Sequence, residues 1–179
     1  FGKPPPSNLP RPGKVLGPPP PFKFAPPDNH IYAHLNGKTS VASIAATMAT
    51  RKGIFVLNAA GNEGNGAWLY IGVPADADSI LTIGSVNGSG IHSSFSSQGP
   101  TADGRIKPDV STMGEGSYVC QPGYNFTSGN GTSFACPLTA GVIGLAYSIP
   151  CPSFMPIVRS NPKVAADLVL QALINGTDP

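Results

Sequence analysis

Thr39-Ser-Val-Ala-Ser-Ile-Ala-Ala-Thr-Met-Ala-Thr-Arg-Lys-Gly-Ile-Phe-Val-Leu57 decides the fold class. Thr39 or Ser40 can cap a helix. Val41, Ile44, Ala45, Met48 and Ala49 then recur at helical spacing and predict one apolar face turned to the core. Arg51 and Lys52 sit where the helix dipole favours cations, and Gly53 ends the helix. Ile54 to Leu57 is an unbroken apolar run and predicts a buried strand. Gly61 to Gly66 reads as a glycine-rich loop, and Ile80 to Val86 as a second buried strand. Helix, strand, loop and strand in this order predict an α/β architecture with a parallel sheet.

Working outward, Asn87 to Gly104 is turn-rich and contains Ser93-Ser-Phe-Ser-Ser97. Ile106 to Val110 predicts a short strand despite Pro108, and residues 111–131 read as loop. Phe134 to Tyr147 is a helix of small and apolar residues, apolar nearly all round, and is expected to be buried. Asn161-Pro162 opens a last helix, a cap followed by proline in the first turn. Val164, Ala165, Leu168, Val169 and Ala172 are expected to face the core, with Asn175-Gly176 at its end.

The other end of the chain differs. Eleven of the 21 prolines lie in residues 1–27, including Pro4–Pro6 and Pro18–Pro21. Proline fixes φ and removes the amide donor, so residues 1–27 read as a polyproline arm or linker and residues 28–179 as the globular part. The 179 residues carry 11 Lys plus Arg against 9 Asp plus Glu, a formal charge of +2. That gives no electrostatic footprint for nucleic acid. No apolar run is long enough to predict a membrane span. Cys120, Cys136 and Cys151 allow one bridge at most and have no zinc spacing.

Two segments carry chemistry. In Gly129-Asn-Gly-Thr-Ser-Phe-Ala-Cys-Pro137, Ser133 stands between a glycine-rich loop and a helix whose first amides are free to face an oxyanion. Gly131 lets a substrate backbone come close. Taken alone, Ser133 reads as a helix cap; the second segment is what sets that reading aside. In Leu57-Asn-Ala-Ala-Gly-Asn-Glu-Gly64, small residues leave a strand end and present Asn62, whose carboxamide can donate to an oxyanion. A phosphate cradle at Gly61 to Gly66 fails, because no helix pattern follows it.

Together these segments resemble the subtilisin-like serine peptidases, the subtilase family. Ala59-Ala-Gly-Asn-Glu-Gly64 is similar to the family's oxyanion-asparagine segment, and Gly131-Thr-Ser-Phe-Ala-Cys-Pro137 to its nucleophile segment. Ser94-Phe-Ser-Ser-Gln-Gly-Pro100 and Lys107-Pro-Asp-Val110 also resemble family segments, in the expected order. The resemblance covers about residues 28–148. It implies a three-layer α/β fold with a mainly parallel sheet, incomplete on its N-terminal side, and a chain that is the C-terminal part of a longer catalytic domain.

The resemblance also implies roles. Ser133 would be the nucleophile, and Asn62 and the Ser133 amide the oxyanion donors. Ala59, Ala60 and Gly61 would form one wall of the pocket for the substrate side chain, with Glu63 near its rim. Gly131 and Thr132 would contact substrate. The family's aspartate and histidine precede the asparagine segment. Here His30, His34 and His92 all lack the His-Gly-Thr setting, and Asp28 lacks the aspartate motif, so none is expected to serve and each histidine is expected at the surface. The wall opposite Ala59 has only Leu16-Gly17-Pro18 as an echo.

The implied function is serine endopeptidase chemistry through an acyl-enzyme, inactive in this chain alone; a peptide-binding module without catalysis is the alternative. Implied partners are protein or peptide substrates and the N-terminal half of the domain, and the implied location is secreted or at the cell surface. No organic cofactor is implied, and the structural calcium of full-length members is not assignable here. Without that half, one face or edge of the sheet is expected to be exposed and apolar. Asn87, Asn125, Asn130 and Asn175 fit the glycosylation pattern. Asp76 and Asp78 are expected in an exposed turn, and Cys136 as a small buried hydrophobe.

Overall fold

Three short parallel strands organise the molecule: β1 (Leu57–Ala59), β2 (Leu81–Val86) and β3 (Val110–Met113), in that spatial order. The computed structural model describes residues 30–149 and 151–176. The proline-rich arm at 1–27 lies outside the described residues. β2 is central and its first five residues are buried, as a strand covered on both faces must be. Leu57 pairs with Leu81, and Ile83 with Val110.

Before the sheet stand a 3₁₀ turn (Tyr32–His34) and helix α1 (Val41–Arg51). After it come the antiparallel ribbon β4 (Ser117–Gln121) and β5 (Asn125–Gly129), then α2 (Thr132–Ser148), α3 (Met155–Ser160) and α4 (Pro162–Gly176). α2 lies against all three strands of the sheet. One apolar cluster joins Leu81, Ile83 and Val110 to Ala135 and Ile143 of α2, with Val169, Leu170, Leu173 and Ile174 of α4 packed on it. A second gathers Leu35, Ala60, Ala75 and residues 68–71.

Several elements differ from the sequence expectation. β1 begins at Leu57 rather than Ile54, and Ile54 is exposed. β3 starts at Val110, where the strand expected over 106–110 ends, because Pro108 lacks the ladder amide. Residues 111–131 hold β3 and the ribbon rather than loop. α3 has no counterpart in the reading.

α1 turns the opposite way. Ser43, Thr47 and Thr50 are buried, while Val41 is 83% and Met48 57% exposed, with Ile44 exposed between them. The hydroxyl side is drawn in by hydrogen bonds: Ser43 to Asp76 Oδ1 at 2.5 Å and Thr47 to the Asp78 carbonyl at 3.3 Å. Asp76 is therefore fully buried, not in an exposed turn, and its second oxygen accepts from the Gly37 amide at 2.8 Å.

α2 is apolar all round but only its sheet side is covered. Leu138, Val142 and Leu145 form an exposed stripe, spaced to share one face, and Ile149 just past the helix end is exposed too. In α4, Ala165 and Ala166 are the buried pair, and Val164 and Leu168 stay exposed. Exposed large apolar side chains thus lie on α1, α2 and α4 and on the strands β3, β4 and β5 (Met113, Tyr118, Phe126), while the central strand β2 is covered.

One buried ion pair locks β3 to β2. Lys107 Nζ donates to Asp109 Oδ2 at 2.6 Å and to the Ile80 carbonyl at 2.9 Å, and Asp109 Oδ2 also accepts from the Thr82 amide at 2.6 Å. Burial pushes the Lys107 ammonium below its ordinary pKa, against the pull of Asp109. Asp109→Ala strands that ammonium and the Thr82 amide. A loss of about 3–5 kcal/mol is expected in urea unfolding at neutral pH. With the folded lysine depressed, the unfolded chain binds more protons in the window up to about pH 10.4, so raising the pH through it restores part of the loss. An urea midpoint within error of the parent's at pH 7 would contradict this.

Candidate active site

The strand end of β1 delivers Ala59, Ala60 and Gly61 as one wall of an open cavity of about 520 Å³. Asn62, Glu63 and Ser133 also line it. His30, Leu35, Trp68 and residues 72–74 complete the lining with Asn58 and Ser97.

Two neighbours brace the Asn62 loop. The Glu63 amide donates to Ser97 Oγ at 3.0 Å, the Ser97 amide to the Gly61 carbonyl at 2.9 Å, and the Gly64 amide to the Phe95 carbonyl at 2.8 Å. The serine-rich turn therefore serves as backing for the loop. Its approach is so close that a Cβ on Gly64 would stand 2.2 Å from the Ser96 carbonyl oxygen, so only glycine fits.

The second neighbour orients the carboxamide. Asn62 Oδ1 accepts from the Thr132 amide at 2.9 Å and from Thr132 Oγ1 at 3.0 Å, and that hydroxyl accepts from the Gly61 amide at 3.2 Å. With its oxygen held by both donors, the carboxamide presents Nδ2 elsewhere. Nδ2 lies 3.5 Å, and the Ser133 amide 3.7 Å, from the point where a side chain on Gly131 would begin. Nδ2 therefore stands beside the start of α2, where the amides of the first turn are free.

Ser133 is the second residue of α2 and is exposed. Its amide belongs to the first turn, which the helix itself leaves without an acceptor. Gly131 and Thr132 are buried, and neither is among the residues that line the cavity. Thr132 instead holds Asn62, a relation that adjacency in the chain could not reveal.

The histidines divide. His30 is half-buried and lines the cavity, rather than standing at the surface. Its Nδ1 is closed off from solvent with no partner among the described residues, and its ring meets His34 edge-on at 5.8 Å. His34 Nδ1 accepts from the Ile31 amide at 3.5 Å, and His92 is exposed beyond β2. Among the described residues, none of the three hydrogen-bonds to the Ser133 hydroxyl.

Cys136 is partly covered one helical turn beyond Ser133, and burial raises its thiol pKa, which keeps it protonated and inert. All three cysteines are free. Among the described residues no group of three or more His, Cys, Asp or Glu stands close enough to hold a metal ion, and no helix is long and apolar enough to cross a membrane.

Known proteins share this arrangement of sequence. The sequence model of the Subtilase family, Peptidase S8, matches residues 25–175. Subtilisin DY of Bacillus licheniformis is 37% identical over 114 residues, which are 63% of this chain and 39% of that protein. Serine protease AprX of Bacillus subtilis (strain 168) is 31% identical over 155 residues, 75% of this chain and 32% of AprX. Among solved structures, the self-cleaved protease domain of PatA matches with a TM-score of 0.52 at 26% identity, over 73% of this chain and 45% of that one. The Clostridium perfringens CspB protease matches at 0.51 and 28%, over 61% of this chain and 23% of that one. This chain spans less than half the length of each of these four relatives.

Proposed function

Since the chain belongs to the subtilase family, we propose that it is the part of a serine endopeptidase domain that supplies the nucleophile, the oxyanion donors and one pocket wall. The observation that supports this is that Asn62, held by Thr132, and Ser133 line one cavity together with Ala59, Ala60 and Gly61. A peptide carbonyl seated in that cavity between Asn62 and Ser133 would be attacked by Ser133 Oγ, with Asn62 Nδ2 and the Ser133 amide as the oxyanion donors. Its oxygen would gain negative charge between the two donors, and its side chain would enter the cavity along Ala59, Ala60 and Gly61. Collapse of the adduct expels the amine and leaves an acyl-serine, which water hydrolyses. Protein or peptide substrates and a secreted setting follow from the same family membership.

What the described residues do not bring to Ser133 is a base. A serine hydroxyl is a weak nucleophile until an adjacent group takes its proton. The aspartate and histidine come, in this reading, from the portion of the domain that the relatives have and this chain does not span. The lone Ser133 hydroxyl also favours the second reading, a module that binds peptides without cutting them.

Labelling by a fluorophosphonate probe separates these. The 179-residue chain is expected to label at a rate hardly above that of Ser133→Ala. Rapid labelling lost in Ser133→Ala would mean that a base is present after all. Single replacements of His30, His34 and His92 would then identify it, with His30 first because it shares the cavity.

A further inference from the structure

Residues 58–63, residues 72–74, and His30 with Leu35 come to the cavity from three separate stretches of chain. The first two are joined by the Gly72 amide, which donates to the Ala60 carbonyl at 3.1 Å. A buried side chain joins the second to the third. Asp76, two residues past Pro74, is fully buried, and its Oδ2 accepts at 2.8 Å from the amide of Gly37, two residues past Leu35. Its Oδ1 accepts from the Oγ of Ser43, itself fully buried, at 2.5 Å. The two backbones meet closely there: a Cβ on Gly37, at φ +72°, would stand 2.8 Å from the Asp76 carbonyl oxygen.

A buried carboxylate is costly unless its oxygens find donors, and here each oxygen has one. Ser43 lies in the first turn of α1, which has no acidic residue and no side-chain cap of its own. Asp76 therefore places negative charge where the helix dipole favours it. The Arg105 guanidinium, which donates to the Asp76 carbonyl at 2.8 Å, brings positive charge nearby. The other long-range hydrogen bonds of the 30–37 stretch run to residues 100–102. Tyr32 Oη donates to the Pro100 carbonyl at 3.0 Å, and the Ala102 amide to the Leu35 carbonyl at 2.8 Å. They anchor the stretch without tying it to the Gly72–Pro74 side of the cavity.

We propose that Asp76 is a positioning residue of the substrate pocket: its carboxylate seats the 30–37 stretch against the 72–74 stretch and so fixes the lining that grips a large apolar side chain of the substrate. The inference rests on the cavity being the substrate pocket. Leu35 shares one apolar cluster with Ala60, Trp68 and Ala75, so freeing Gly37 loosens Leu35 against residues that the substrate side chain would touch. Asp76 itself is not among the lining residues and acts only through them.

Trp68, the single tryptophan of the chain, is buried and lines the cavity, so its emission reports on that lining. In the 179-residue chain at submicromolar concentration, Asp76→Ala is expected to raise acrylamide quenching of Trp68 several-fold. It should weaken binding of a labelled tetrapeptide ending in phenylalanine about tenfold or more, and leave one ending in alanine unchanged, since that probe gains little from the lining. Asp76→Asn can still accept from Gly37 and donate to Ser43, and should return both readings to near the parent's. Asp109→Ala removes stability at the ion pair between β2 and β3, away from the lining residues, and should change neither reading below its unfolding transition. Should Asp76→Ala fail to fold, Ser43→Ala removes only the Oδ1 partner and is expected to show the same changes at smaller size. Unchanged quenching in the folded variant, equal weakening of both peptides, or a loss that Asp109→Ala shares would each overturn the inference. Raised quenching that Asp76→Asn reverses, in a chain whose parent binds neither peptide, would overturn the pocket reading and uphold Asp76 as the residue that seats the lining.

Discussion

Placing a subtilase segment that carries the triad aspartate and histidine upstream of residues 30–176 should raise peptide hydrolysis roughly 10⁶-fold over the chain alone. The factor is the scale of loss when a subtilisin is deprived of its histidine, and it reflects one physical deficit. Ser133 is presented, exposed, at the start of α2, and among the described residues no histidine hydrogen-bonds to its hydroxyl to take the proton. In the completed domain, Asn62→Ala should then lower kcat by about 10²–10³ with little change in KM. That magnitude is borrowed from the corresponding asparagine of a subtilisin. Thr132→Val should reproduce part of the loss, because it removes one of the two donors that hold Asn62 Oδ1. Chromogenic peptide kinetics decide the matter. A completed domain with no gain in kcat would leave the binding-module reading standing.

The chain by itself is expected to self-associate at micromolar concentration through the α2 stripe. Leu138, Val142 and Leu145 on one face of α2, and Ile149 just beyond it, are each at least half exposed, and covering each is worth on the order of 1 kcal/mol. Gly141 and Gly144 have nothing within 4 Å of a would-be Cβ, so another backbone can approach closely between the larger side chains. Leu138→Gln with Leu145→Gln should weaken the association by about 10² or more and leave the fold intact, since neither side chain is buried. Sedimentation velocity reads the outcome. A parent chain that stays monomeric and melts in one sharp transition would show that the stripe needs no cover.

The same stripe is where the remainder of the domain is expected to lie. A helix that is apolar all round belongs inside a structure, and here only its sheet side is enclosed. Completing the domain should therefore suppress the self-association as well as raise activity, and one preparation can be assayed for both.

Much of this could be read from residue order. The parallel α/β sheet followed from a helix, two apolar runs and the glycine loop between them, since burial on both faces demands continuous apolar strands. Asn62 and Ser133 stood out because small residues around a lone polar group make sense only where something must approach closely. The opening of α4 at Pro162 followed from the Asn161 cap, whose Oδ1 accepts from the Val164 amide at 3.3 Å.

Tertiary structure decided the rest. Periodicity reveals that α1 has an apolar face but not whether anything lies against it. The Asp76 carboxylate, 33 residues from Ser43, drew the hydroxyl face inward instead. Composition hid the ribbon, because glycines and polar residues spell loop until two strands find each other across a tight turn. Thr132 lies next to Ser133 in sequence and looks like part of the substrate surface. Only the approach of Asn62 from 70 residues away turns it into the group that aims a carboxamide. Local patterns are set by the chain's own neighbours. Burial and hydrogen-bond partners belong to contacts that exist only after the chain has folded.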